Sequence, residues 1–283
     1  MRIVIKFAGA LLEDSALINE LAANVAALAS HGHQILVVHG GGRLFTTTLK
    51  RLGIESNFVA GLRVTDRESR DVAVMVFAGL LNKKLAAAIT AHGFPAIGIS
   101  AADAHAFTAS PLVHNDVEGS LGFVGYLTGV NIPALESLWR ENFLPVAACL
   151  GLGPDGELYN INADHMAAAC AEFISADHLV YLTDVAGVLD GDKVLSAISC
   201  DQINGLINSR VVSGGMVLKL EAAKRALAGG VSQVRIVGGN FAASALASEL
   251  YQSTATETTF SQVPGTRVVR LSAHTDSAAV AAV

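Results

Sequence analysis

Short apolar, β-branched runs alternate along this chain with longer stretches whose apolar residues recur at helical spacing. Ile3–Phe7 leads to Ser15–Ser30, where Leu17, Ile18, Leu21, Val25 and Leu28 fall on one face. Gln34–Val38, a glycine-rich turn and a helix around Arg43–Leu52 follow. Ala96–Ile99, Leu144–Ala148, His178–Leu182 and Gln233–Val237 are further strand candidates, with helical stretches between them. Apart from Gln233–Val237, these runs show no polar alternation, as expected of strands covered on both faces. The pattern predicts an α/β chain with a largely parallel sheet sandwiched between helices.

The pattern over Asp66–His92 is different. Thr65 and Glu68 have the spacing of a capping box at its start. Val72, Val74, Met75, Val76, Phe77, Leu80 and Leu81 then make its first half apolar nearly all round. Such a helix must be covered on more than one side, either inside one subunit or at a subunit interface. Its densest run, Val72–Leu81, is ten residues and ends at Asn82-Lys83-Lys84, too short to span a bilayer. Residues 115–129 are glycine-rich and predict hairpins or a loop over the sheet edge. The cluster 151–156 predicts a turn and a lobe boundary, and residues 272–283 a loose end.

Composition narrows the function classes. The 283 residues are 52% hydrophobic and 16% charged, which excludes a disordered polyelectrolyte. A net charge of −6 and the lack of any Lys/Arg cluster argue against nucleic acid or an anionic membrane surface as partner. The mean hydropathy of +0.47 owes much to alanine. The first residues already read as a strand, so no signal or transit peptide is expected. Cys149, Cys170 and Cys200 are widely spaced without a CxxC and read as small core residues in a reducing compartment. A soluble, cytoplasmic protein is the expectation.

Four segments place unusual residues at element ends. Lys6 precedes Ala8-Gly9-Ala10 at the end of the first strand, where a cation and open backbone donors suit an anion. His39-Gly40-Gly41-Gly42-Arg43 lets the backbone approach a ligand at a helix start. It lacks the third glycine of the dinucleotide fingerprint, and no Gly-Lys dipeptide exists to make a Walker A loop. Asn160, Asn162 and Asp164 alternate before a helix beginning near His165, with one of them its N-cap. Lys219 lies in the first turns of a helix opened by Ser213-Gly214-Gly215, where the macrodipole disfavours a cation. A bound anion or exposure to solvent accounts for it. Arg63 suits a bidentate grip on a carboxylate. Asp184 and Gly187 follow a buried strand, and His31 and His33 have no acidic neighbours to make a metal site.

These segments together carry a family signature. Ile-Lys6 with Gly9, Val-His39-Gly-Gly-Gly42, Gly61-Leu-Arg63-Val-Thr-Asp66, Asn82-Lys83 and Leu121-Gly-Phe-Val-Gly125 are followed by three longer words and a last pair. Those are Asn160-Ile-Asn-Ala-Asp164, Leu182-Thr-Asp-Val-Ala-Gly-Val-Leu189, Gly215-Met-Val-Leu-Lys219 and Gly265-Thr266. In this order, from about Arg2 to Val269, the chain resembles the amino acid kinase family, and within it the members acting on N-acetyl-L-glutamate.

The resemblance implies an open αβα sandwich with a mostly parallel central sheet. It implies transfer of the ATP γ-phosphoryl group, with Mg2+ carried by the nucleotide, to the side-chain carboxylate of N-acetyl-L-glutamate in arginine biosynthesis. Residues 1–153 would form a lobe for the acyl amino acid and dimerisation, and 154–283 a lobe for ATP. Lys6 and Lys219 would stabilise the phosphoryl group, with Asp164 organising them. Gly41, Gly42, Arg63 and Asn160 would bind the acyl substrate, and Gly9, Asp184, Gly187, Val211, Val212 and Ser213 the nucleotide. No protein-bound metal is implied.

Three departures bear on the acyl group. Ala8 stands where the family usually has glycine, Ala60 where it has asparagine, and Ile99-Ser-Ala-Ala-Asp103 lacks the usual glycine and lysine. If residue 8 requires a positive φ, Ala8 is strained or the loop is rearranged. N-Succinylglutamate, another acyl amino acid or a catalytically silent binding paralogue are the alternatives. Hexameric, arginine-inhibited members carry an extra amino-terminal helix that this sequence lacks, so an arginine-insensitive homodimer is expected.

Overall fold

The structure, a computed structural model, describes residues 1–59, 61–113, 121–239 and 265–270. Ala60, most of the 115–129 loop's first half and the 272–283 tail, each singled out from the sequence, lie outside the described residues.

The chain begins with β1 (Arg2–Phe7), α1 (Ser15–Ser30), β2 (Gln34–His39) and α2 (Gly42–Arg51). A hairpin of β3 (Phe58–Val59) and β4 (Leu62–Arg63) then leads to a long helical rod. The rod comprises α3 (Arg67–Val74), a π-helical segment (Met75–Leu81) and α4 (Asn82–Ala91). Next come β5 (Ala96–Ile99), β6 (Phe107–Pro111), β7 (Val124–Val130), α5 (Ile132–Arg140), β8 (Leu144–Ala148), β9 (Leu150–Leu152) and β10 (Leu158–Ile161). The remainder is α6 (Ala163–Phe173), β11 (His178–Thr183), a hairpin of β12 (Leu189–Asp190) and β13 (Lys193–Val194), β14 (Ala197–Ser199), α7 (Gln202–Asn208), α8 (Gly215–Ala228), β15 (Gln233–Gly238) and β16 (Thr266–Val269).

Eight strands form the main sheet in the order β14-β16-β15-β11-β1-β2-β8-β5. Every neighbouring pair is parallel except β15 with β16. Ile3, Val4, Ile5, Leu36, Val37, Val146 and Leu179 are fully inaccessible, which explains why these strands show no polar alternation. The sheet is thus mostly parallel, as the sequence indicated. Strands β6, β7, β9 and β10 close a small separate barrel. The glycine-rich segment around 124–130 enters it as β7, and the turn at 153–156 joins β9 to β10, closed by the Gly153 N–H donating to the Glu157 carbonyl at 2.9 Å.

The rod corrects one local expectation. Its cap is Asp66, whose carboxylate accepts from the Ser69 N–H at 2.8 Å, not Thr65. Thr65 is committed to a strand-like bridge with Gly122, and its hydroxyl donates to the Arg63 carbonyl, so the helix starts one residue later. Val72, Val76, Phe77, Leu81, Leu85 and Ile89 are buried, while Met75 and Leu80 are 58% and 59% exposed. Its most apolar stretch has a mean hydropathy of 1.7, and half of that stretch is buried inside the chain. Cys149 and Cys170 are buried free thiols, and Cys200 is a partly buried one.

Candidate active site

Because β1, β2 and β11 are parallel neighbours, their carboxyl ends meet at one edge of the sheet, and the turn after each carries residues of interest. After β1, Ala8 takes an ordinary extended backbone (φ −66°, ψ 142°) and donates its N–H to the Leu182 carbonyl at 2.9 Å. Alanine is therefore unstrained there. After β2, Gly41 caps α2 with no side-chain acceptor on the first turn's N–H groups. A Cβ on Gly9 would approach the Gly41 Cα and the Gly42 N to 3.2 Å, and one on Gly41 would overlap Cδ1 of Leu81 from the rod. Two glycine turns thus pack backbone to backbone, and a larger residue at Gly9 or Gly41 requires a neighbour to shift.

His39 holds this loop from beneath. It is fully buried, and burial lowers its pKa to about 4 against the opposing effect of its bond to Gly40, so the ring is neutral. The Gly40 carbonyl, 3.0 Å from Nδ1, only accepts, and the Asn82 amide nitrogen, 3.1 Å from Nε2, only donates. The proton is therefore assigned to Nδ1. Asn82 also donates to the Val146 carbonyl at 2.8 Å, tying the loop to β8.

A cleft of about 230 Å³ opens beside the loop and brings together Lys6, Gly9, Gly41, Gly42, Arg63, Asn160 and Asp164. At its base, Asn162 caps α6 by accepting from the Asp164 and His165 N–H groups, so the helix begins at Ala163. Asp164 then projects one carboxylate oxygen between two ammoniums, 2.7 Å from Lys6 Nζ and 2.8 Å from Lys219 Nζ. All three side chains are nearly inaccessible. Burial alone would raise the Asp164 pKa, but Lys6 and Lys219 outweigh it and bring it to about 2. Lys219 is pushed down to about 8, first by burial and then by Lys6, with Asp164 opposing both. Its place near a helix start is thus explained by an anion, and that anion is the chain's own Asp164.

Opposite, the Arg63 guanidinium lies between two aromatic rings, 4.7 Å from the centre of Phe45 and 4.4 Å from that of Phe58. Nη2 donates to the Thr46 hydroxyl, while Nη1 is buried with no partner among the described residues. Burial lowers its pKa. A flat guanidinium with an unmatched nitrogen, facing a cleft that Asn160 also lines, has the geometry to pair with a carboxylate. Asn160 in turn donates to the Thr65 hydroxyl at 3.2 Å.

The nucleotide candidates lie elsewhere. Asp184 follows β11, accepts from the Thr183 hydroxyl at 3.3 Å and faces Arg43 of α2 at 3.6 Å. Gly187 packs against Thr266 and Val194, with 2.8 Å to either from an added Cβ. Val211, Val212 and Ser213 form the turn before α8, whose cap Gly214 also offers no side-chain acceptor. None of these lines the cleft, and Gly9 joins Gly41 and Gly42 rather than this group.

Sequence reading missed Phe45 and Phe58 as contributors and named His39 only as the residue before the glycine turn, not as its support. The aromatic clamp arises only when the β3–β4 hairpin folds over α2. His39 was visible as the one polar residue ending an apolar strand.

The Amino acid kinase family model matches residues 1–238. The chain is 52% identical over 240 residues to an acetylglutamate kinase of Koribacter versatilis, covering 84% of this chain and 90% of that one. It is 46% identical over 238 residues to an acetylglutamate kinase of Acidobacterium capsulatum, with the same coverages of 84% and 90%. Among solved structures, N-acetylglutamate synthase from Neisseria gonorrhoeae, with coenzyme A and N-acetyl-glutamate, superposes with a TM-score of 0.81 at 25% identity, over 95% of this chain and 59% of that one. Carbamate kinase from Giardia lamblia bound to AMP-PNP superposes with a TM-score of 0.64 at 14% identity, over 95% and 98%, a likeness of fold. Motifs, fold and relatives agree: the chain belongs to the amino acid kinase family.

Proposed function

We propose that this enzyme transfers the γ-phosphoryl group of ATP to the side-chain carboxylate of N-acetyl-L-glutamate, giving N-acetylglutamyl 5-phosphate for arginine biosynthesis. The observation that carries the reading is the Lys6–Asp164–Lys219 group beside a glycine loop, with an incompletely bonded Arg63 across the cleft. The acetylglutamate kinases matched at 46–52% identity support the acetyl substrate.

Phosphoryl transfer between a carboxylate and a triphosphate sets anion against anion, so the protein's work is positioning and charge neutralisation. Arg63 and Asn160 hold the main carboxylate of the acceptor, which aims its side-chain carboxylate at the Gly41–Gly42 turn. One of its oxygens attacks the γ-phosphorus, the bond to the bridging oxygen breaks, and ADP leaves. The attacking carboxylate is already ionised, so no general base is needed. Asp164, held ionised between two lysines, acts as their anchor. Lys6 and Lys219, with the open N–H groups at the starts of α2 and α8, meet the charge on the transferring group.

The nucleotide lies against Asp184, Gly187 and the Val211–Ser213 turn. Mg2+ carried by ATP would supply screening of the phosphate charges. The donors around the cleft are cations and N–H groups, which suit the phosphate oxygens of the nucleotide. We assign residues 1–153 to acceptor binding and dimerisation and 154–283 to the nucleotide, in a cytoplasmic homodimer.

Arg63→Lys tests the acceptor site. The lysine lacks the planar fork and loses both the bidentate grip and the aromatic sandwich, so KM for N-acetylglutamate should rise by about 10- to 100-fold with a smaller change in kcat. An unchanged KM contradicts the assignment.

A further inference from the structure

Tyr181 is the one aromatic residue of β11 and takes no part in the phosphoryl transfer itself. It is fully buried. Its register partner on β1 is Lys6, so the two side chains leave adjacent strands on the same face of the sheet. On that face the Tyr181 hydroxyl donates to the main-chain carbonyl of Asp164 at 3.1 Å, and Lys219 Nζ lies 5.1 Å from the centre of the ring. One side chain therefore touches two members of the charged group and neighbours the third.

Tyr181 is no acid or base for the reaction, because burial, and then the charge of Asp164, push its pKa well above 10. Nor does it line the cleft. We infer that Tyr181 is a positioning residue for phosphoryl transfer: its ring holds Lys219 as an ammonium against Asp164, and its hydroxyl fixes the first turn of α6.

The physical need for such a ring is clear. Lys219 has been taken out of water beside a second cation, and its single counter-ion is shared with Lys6. An aromatic face supplies negative electrostatic potential without adding a charge, and its attraction is largest for a desolvated cation. Among the described residues, the groups facing Lys219 are Asp164 from α6, Lys6 from β1 and Tyr181 from β11. Beyond Lys6 and Asp164 lies the Cys149 thiol, which burial raises to about 12 and keeps neutral. Arg235 of β15 is in the row of Val180, not of Tyr181, and so leaves the opposite face. The ring thus opposes the burial that lowers the Lys219 pKa to about 8.

The consequence for turnover rests on the kinase reading, but the effect on Lys219 does not, so the test reads the ligand-free chain. Lysine 13Cε signals are followed by NMR from pH 6 to 11, with Lys219 identified among seven lysines by its loss in Lys219→Arg. Tyr181→Phe keeps the ring and should leave the Lys219 midpoint within about 0.3 units. Tyr181→Leu removes it and should lower the midpoint by about one unit, a tenfold change in the ammonium-to-amine ratio. The basic limb of kcat/KM should move with it. Tyr181→Met serves in the same role should the leucine variant fail to fold. A folded variant without the ring whose Lys219 titrates at or above the parent value overturns the inference, as does Tyr181→Phe shifting as far as Tyr181→Leu. The shift without any turnover of N-acetylglutamate supports the inference and counts against N-acetylglutamate as the substrate.

Discussion

At the scale of single residues, the site turns on one oxygen atom. Asp164 Oδ1 accepts from both Lys6 and Lys219, which leaves that group with an excess positive charge beside the cleft. Lys6→Ala and Lys219→Ala should each lower kcat by about 10²–10³, the usual cost of removing a placed electrostatic stabiliser. Near-normal turnover in either purified variant contradicts these roles. Because Lys219 titrates at about 8, kcat/KM should decline above that pH as one proton is lost. Stability should behave oppositely. An unfolded lysine keeps its proton to about 10.5, so between about 8 and 10.5 the unfolded chain binds more protons and Lys219 makes stability rise with pH. Asp164 contributes at the acid end. Its stabilisation is present above about 3.8 and is lost as pH falls through about 2. Denaturant midpoints measured across pH separate the two. Lys6, Asp164 and Lys219 were readable in the sequence because each is a charged residue where an apolar strand or a helix start makes one conspicuous. Tyr181 was not, since a tyrosine in a buried strand carries no such signal and its partners lie on other elements.

At the scale of elements, the site exists because two glycine turns and the rod interlock. Gly41 lies against Leu81 with no space for a methyl group. Gly41→Ala should therefore displace the loop and reduce turnover by at least about tenfold. Leu81→Ala in the same chain should restore part of the loss by vacating the overlapping position, a coupling that a double-mutant cycle measures. Additive losses would mean the loop is held by something else. Six strands of the main sheet, β1, β2, β5, β8, β11 and β15, and the helices α1 and α2 were legible almost to the residue, because apolar runs and helical spacing are local signals, whereas β14, β16 and the small barrel were not. The helix cap was not. Thr65 and Glu68 match a capping box in spacing, but Thr65 is drawn into pairing with Gly122, a contact 57 positions away that no local pattern encodes. Likewise Ala8 looked problematic against the family pattern, yet its backbone is extended and ordinary.

At the scale of the whole molecule, the rod joins the cleft to the surface. Its buried side packs Phe77 and Leu81 against the cleft and its glycine loop, and its other side leaves Met75 and Leu80 in solvent. We propose that side as the contact of the homodimer proposed above. Met75→Glu with Leu80→Glu should convert the dimer to a monomer in light scattering with the fold retained, and a parent chain that is itself monomeric rejects the contact. The sequence revealed that this helix needed cover on more than one side, but not which side its own chain supplies. The central claim is a kinase of N-acetyl-L-glutamate, and it is tested most directly by trapping the acyl phosphate. The enzyme is incubated with Mg·ATP, hydroxylamine and either N-acetyl- or N-succinyl-L-glutamate. Hydroxamate is expected with the acetyl compound and dependent on ATP. Folded enzyme that binds ATP yet gives hydroxamate with the succinyl compound alone, or with neither, contradicts the claim.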